Sequence, residues 1–121
     1  MLVRKEDIIW TKHSQEKLRE YNLSKSRIVR VLRNPQRVEE GIAPRTLALM
    51  QSAGSKKHPY EIWLMAQIIF PKRKKVKEID RIDKRYKVRI ISAWKYPGQT
   101  PIGKPIKIPE DVLEELAKFS F

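Results

Sequence analysis

Between Pro59 and Pro71 the chain reads YEIWLMAQIIF, an apolar run from Tyr60 to Phe70 rich in β-branched and aromatic side chains. Proline at both ends cuts it off from any longer helix, so it reads as a strand. A second run, YKVRIISAWKY from Tyr86 to Tyr96, sets Val88, Ile90, Ser92 and Trp94 against Lys87, Arg89, Ile91, Ala93 and Lys95. That alternation is the period of a half-buried strand, ended by Pro97-Gly98. Arg45 to Ala53 reads as a third strand, and Arg37 to Glu40 as a short edge strand closed by Gly41. With so much strand in the second half, the chain has to build a sheet.

The first third has a different period. Thr11 is a suitable N-cap, with Ser14, Leu18 and Tyr21 following on one helical stripe that ends near Asn22. Ser24 opens a second helix, with Ile28, Val31 and Leu32 on its apolar side, and Asn34-Pro35 stops it. Two helices followed by strands predict an α+β fold, the N-terminal helical pair packed on one face of an antiparallel β-sheet. The other face is left at least partly open. Residues 1–97 form this domain, and 98–121 add the proline-rich QTPIGKPIKIP and a short amphipathic helix. That helix starts at Pro109, has acids in its first turn, and aligns Val112, Leu113, Leu116 and Phe119.

Charge narrows the function. Lys and Arg number 27 against 14 acids, a net charge of +13, so polyanions, nucleic acid first, are the expected partners. No cysteine is present, which removes disulfides, zinc ribbons and thiol catalysis. His13 and His58 stand in separate elements without ligand spacing, so no metal site is expected. The start MLVRKEDIIW lacks a signal-peptide apolar run, and no segment approaches a membrane span. A soluble, cytoplasmic protein is the expectation, with no membrane partner. With four glycines in all, nucleotide-binding fingerprints are absent as well.

The remaining inventory suits cleavage of RNA without metal. RNA carries its own nucleophile, the 2′-OH. Catalysis needs a group to take its proton, cations to steady the charged phosphorane, and a proton for the leaving 5′-oxygen. No cofactor is required. His13 is the scarce proton-transfer group, and Lys17, one helical turn on, shares its face. His58, in KKHPY, reads as a loop residue. Arg45 and Lys95 are placed at strand ends as anion ligands, and Tyr60 and Tyr96 can stack on bases. Ser92 shares the face of Val88 and Ile90, and Arg89 shares the face of Lys95. The basic run containing Lys72, Arg73, Lys74 and Lys75 reads either as a solvated loop or as an arm that tracks phosphates.

The runs HSQEKLREYNLS, SRIVRVLRNP and RIISAWK resemble a family of small bacterial proteins that begin with a histidine-led helix followed by a second helix ending in L-x-N-P. That family looks related to BrnT- and RelE-type toxins of the barnase–EndoU–colicin–RelE ribonuclease architecture. The resemblance covers about residues 8 to 97, its specific part being the helical pair and the last strand. It implies a toxin-like, metal-independent endoribonuclease of a toxin–antitoxin system, with His13, Lys17 and Ser92 at matching positions; Arg45, from its placement at a strand start, joins them as a catalytic candidate. Lys72, Arg73, Lys74, Lys75, Arg89, Lys95 and Tyr96 are the nucleic-acid-binding candidates. RNA, including RNA at the ribosome, and an antitoxin protein are the implied partners. Lys17 departs from the Arg usual at that position and lacks its bidentate fork. The alternative is a non-catalytic basic binding module that keeps the fold. A third reading makes the acidic C-terminal helix, with Glu110, Asp111, Glu114 and Glu115, a flap over the domain's own basic groove.

Overall fold

The computed structural model describes residues 3–70 and 86–119, with the backbone alone at Phe70. The elements run β1 (Val3–Trp10), α1 (Lys12–Glu20), α2 (Lys25–Arg33), β2 (Arg37–Glu40), β3 (Thr46–Gly54), β4 (Pro59–Phe70), β5 (Tyr86–Pro97) and α3 (Glu110–Ala117). The fold is α+β, with one five-stranded sheet in the order β1-β5-β4-β3-β2. The sheet is mixed rather than antiparallel: β1 pairs with β5 in parallel, Ile8 opposite Val88 and Trp10 opposite Ile90. The sequence hides this strand because Arg4, Lys5, Glu6 and Asp7 interrupt its apolar pattern. The exposed Arg4, Lys5 and Glu6 suit a sheet edge, where charges discourage pairing with another chain.

Both helical caps form as their sequences predict. Thr11 Oγ1 accepts from Ser14 N at 3.1 Å, and Ser24 Oγ accepts from Arg27 N at 3.0 Å. α1 ends in a Schellman turn: Leu23 N reaches Leu18 O and Asn22 N reaches Arg19 O. Asn22 takes the left-handed conformation the turn requires, at φ 54°.

The long central strands separate two apolar clusters. Leu47 and Leu49 of β3 and Ile62, Leu64, Ala66 and Ile68 of β4 meet Leu18 of α1 and Ile28, Val29, Val31 and Leu32 of α2. The alternate residues Ala48, Met50, Trp63 and Met65 turn to the other side, where they meet Trp94, Val112 and Leu116. Trp63 and Trp94 stack there, ring centroids 6.1 Å apart. The second face is therefore not open; α3 lies on it. Residues leading to α3 are pinned as well. Buried Glu61 accepts from Thr100 N and Thr100 Oγ1, and Arg37 donates to Thr100 Oγ1 and Lys104 O. No helix among the described residues is long and apolar enough to cross a membrane.

A bulge decides which way Ser92 points. Met65 pairs with Ser92, but the next residue, Ala66, pairs with Ile90, leaving Ile91 as an extra residue on β5. One inserted residue reverses the alternation beyond it. Ser92 thus joins the side of Met65 and Trp94, not that of Val88 and Ile90. Arg89, opposite Gln67, is on that same second face, while Ala93 belongs to the first cluster. The expected sharing of a face by Arg89 and Lys95 is undone by the same bulge.

Candidate active site

Where β1 stops pairing, α1 begins and takes its place along β5. Thr11 N and Thr11 Oγ1 both donate to Ile90 O, at 3.3 and 2.8 Å. This anchorage sets the first turn of α1 against β5, and the His13 ring reaches Ser92, with Nε2 3.0 Å from Oγ. Ser92 is fully buried. Its hydroxyl fixes the ring, donating or accepting according to the imidazole tautomer.

α3 covers the other side of this pair. Glu115 Oε2 stands 3.8 Å from His13 Nδ1, an ion pair when the ring is protonated. One turn earlier on α3, Asp111 Oδ2 is 2.5 Å from Lys17 Nζ. The two helices match turn for turn in opposite directions: His13 with Glu115, Lys17 with Asp111. Lys17 also reaches Glu20 at 2.6 Å and lies over the Tyr21 ring, and its side chain is only 9% exposed. Further along, the Phe119 ring stacks on the Arg89 guanidinium at 4.9 Å, while Arg89 Nη1 donates to Gln67 Oε1 at 2.7 Å. Val112 and Leu116 are buried beneath the helix.

The charges between the two helices hold one another ionised. Burial pulls the Lys17 pKa down, but hydrogen bonds and charges from Asp111 and Glu20 outweigh it and leave it above the ordinary 10.5. For Asp111, burial pushes upward, yet the Lys17 hydrogen bond and charge, with a smaller effect of His13, bring it below 3.8. A lowered carboxylate contributes stability above its unfolded pKa and loses it as pH falls through the folded one. A raised lysine contributes below its unfolded pKa and loses it as pH climbs through the folded one. The Lys17–Asp111 pair should therefore hold α3 evenly across neutral pH and weaken below 3.8 or above 10.5. Tryptophan fluorescence, which reports Trp63 and Trp94 under α3, should change at both ends when followed from pH 2 to 11. A signal that does not change at either end would count against this pair as a hold on α3.

His13, Lys17, Ser92 and Arg89 are thus gathered under one helix. Other candidates are not. Lys95 lies over the Tyr60 ring at 5.0 Å, away from Ser92. Tyr96 packs against the tryptophan cluster. Arg45 sits half-buried in the turn before β3, left-handed at φ 59°, its carbonyl accepting from Ile68 N. That ties its backbone close to Gln67, but no hydrogen bond or ion pair joins its side chain to the cluster among the described residues. His58 is exposed in the β3–β4 loop. Lys72, Arg73, Lys74 and Lys75 lie outside the described residues. Sequence reasoning passed over Gln67, although one amide in an otherwise apolar stretch of strand was its available signal. It also passed over Phe119 as a lid on Arg89.

Among the described residues no group of three or more His, Asp or Glu side chains is arranged to hold a metal ion. Comparison of the chain with protein-family models, with curated proteins and with solved structures finds no match.

Proposed function

We propose that this protein is an RNA-binding, toxin-like endoribonuclease that works without a metal ion, and that α3 holds its site closed. The observation that carries the reading is the convergence of His13, Ser92, Lys17 and Arg89, three of them already engaged by Glu115 and Asp111 of α3 and by Phe119 just beyond it. In the open site, His13 takes the proton from the RNA 2′-OH as the 2′-oxygen bonds to phosphorus. The bond from phosphorus to the 5′-oxygen breaks, and that oxygen takes a proton from water. Lys17, freed from Asp111, and Arg89 stabilise the charge that builds on the phosphorane oxygens. Ser92 keeps the imidazole in place. The antitoxin partner implied by the resemblance belongs to this proposal.

Incubation of single-stranded RNA with the purified protein in EDTA tests the reading. Fragments should carry 2′,3′-cyclic phosphate and 5′-hydroxyl ends. RNA that stays intact, both with the native protein and with α3 released, would refute the catalytic assignment. A non-catalytic binding module is the second reading, favoured by the complete burial of Ser92 and the double pairing of Lys17 with Asp111 and Glu20. It requires the intact RNA to be bound, with affinity falling steeply as salt rises.

A further inference from the structure

The opposite side of the sheet has a cavity of about 430 Å³, walled by Asn22, Leu23, Ser24, Arg27, Tyr60, Ile62 and Lys95. Its wall holds two cationic side chains and no carboxylate. Arg27 is fixed there by a hydrogen bond from Nη1 to Gln51 Oε1, and Gln51 is itself held by its own bonds to the carbonyls of Arg30 and Asn34. Lys95 is steadied over the Tyr60 ring. Among the described residues neither cation is paired with an acid, in contrast to Lys17 across the sheet. Ser24, Asn22 and the Tyr60 phenol add neutral polar groups to the same wall.

We infer that this cavity takes the phosphate of a nucleotide, with Arg27 and Lys95 as its charged ligands. The inference rests on the RNA reading for the source of that phosphate, a second point along the strand cut at His13. The distances suit such a span. His13, in the first turn of α1, and Asn22, just past its end, are about 13.5 Å apart at the helical rise per residue. Ser92 and Lys95 are three residues apart on β5, about 10 Å. A strand held at both places passes from one sheet face to the other around the end of α1. The cavity also has room for more than the phosphate alone, so a sugar can enter with it.

Two measurements on the full chain test this. In the first, backbone amide NMR signals are followed while a 5′-mononucleotide, or inorganic phosphate, is added. Signals of Asn22 to Arg27, Tyr60 and Lys95 should shift, and those around Ser92 and α3 should stay. Shifts scattered over the whole basic surface, or none, overturn the site. In the second, RNA affinity of the native protein and of Lys95→Gln is measured against salt. The variant should bind several-fold more weakly, and the slope of log affinity against log salt should shrink by about 0.7, one phosphate contact on a single strand. An unchanged slope, with the cavity signals still moving on nucleotide, overturns the RNA strand as the source and leaves a free nucleotide. RNA that is bound through Lys95 but never cut sustains the cavity and overturns the nuclease reading instead. RNA that is cut while Lys95→Gln matches the native protein in affinity and slope, and while the cavity signals stay still on nucleotide, does the reverse.

Discussion

Replacing His13 with alanine is expected to abolish RNA cleavage in EDTA, by about a hundred- to ten-thousand-fold, the range a lost proton-transfer group accounts for. Binding should not weaken, because Lys17 and Arg89 remain and loss of the His13–Glu115 pair only loosens α3. The reason for singling out this residue is chemical: of the side chains gathered under α3, Lys17 is kept protonated by Asp111 and Glu20 and cannot serve as a base at neutral pH. Arg89 is permanently charged, and Ser92 has no proton-accepting strength of its own. His13 is left. Ser92→Ala makes a useful companion, since it removes the hydrogen bond at Nε2 without touching the ring. Its loss should be smaller, about ten- to a hundredfold, as expected for a positioning residue. Equal cleavage by the native protein and His13→Ala would remove His13 from the mechanism, and a Ser92→Ala loss larger than that of His13→Ala would reverse the two roles.

Much of the framework was legible along the chain. Thr11 and Ser24 cap their helices because short hydroxyl side chains match the free amides of a first turn, a local rule that needs no tertiary information. The strands from Pro59 and Tyr86 declare themselves by proline boundaries and β-branched content. What escaped was set by contacts distant in sequence. β1 is a strand because β5 offers a parallel edge, and its charged first half gives no hint of that. The bulge at Ile91 leaves no mark in the local pattern, yet it turns Ser92 from the first cluster to the face of Trp94 and so brings it to His13. In the same way, the acids of the C-terminal helix were visible as a flap, but not the match of Asp111 and Glu115 with Lys17 and His13 of α1. A four-residue spacing on each helix is compatible with that match; only the docking of α3 on the tryptophan face makes it.

Changing Asp111 and Glu115 together to alanine should raise RNA affinity and cleavage. Both pairs are partly buried; counted only at the surface-pair value of about 0.2–1 kcal/mol each, the two together allow an increase of about thirtyfold in the open population. The substitutions leave Val112 and Leu116 in the core, and α3 stays attached by its apolar side. Deleting residues 98–121 is a blunter test, because it also uncovers Trp63, Trp94 and Met65 and severs the Glu61–Thr100 anchor. Leu116→Ala separates packing from charge. Truncating a buried leucine costs about 2–5 kcal/mol, and if α3 is a latch much of that cost appears as release of the helix while the sheet stays folded. Since Thr100 and Lys104 remain tied to Arg37, release should start at residues 105–109 and leave the preceding segment in place. Hydrogen exchange would then quicken in α3 alone, with RNA cleavage rising in parallel. Exchange that quickens through β4 and β5 together, with no gain in RNA binding, would make α3 an ordinary part of the core and end its role as a latch.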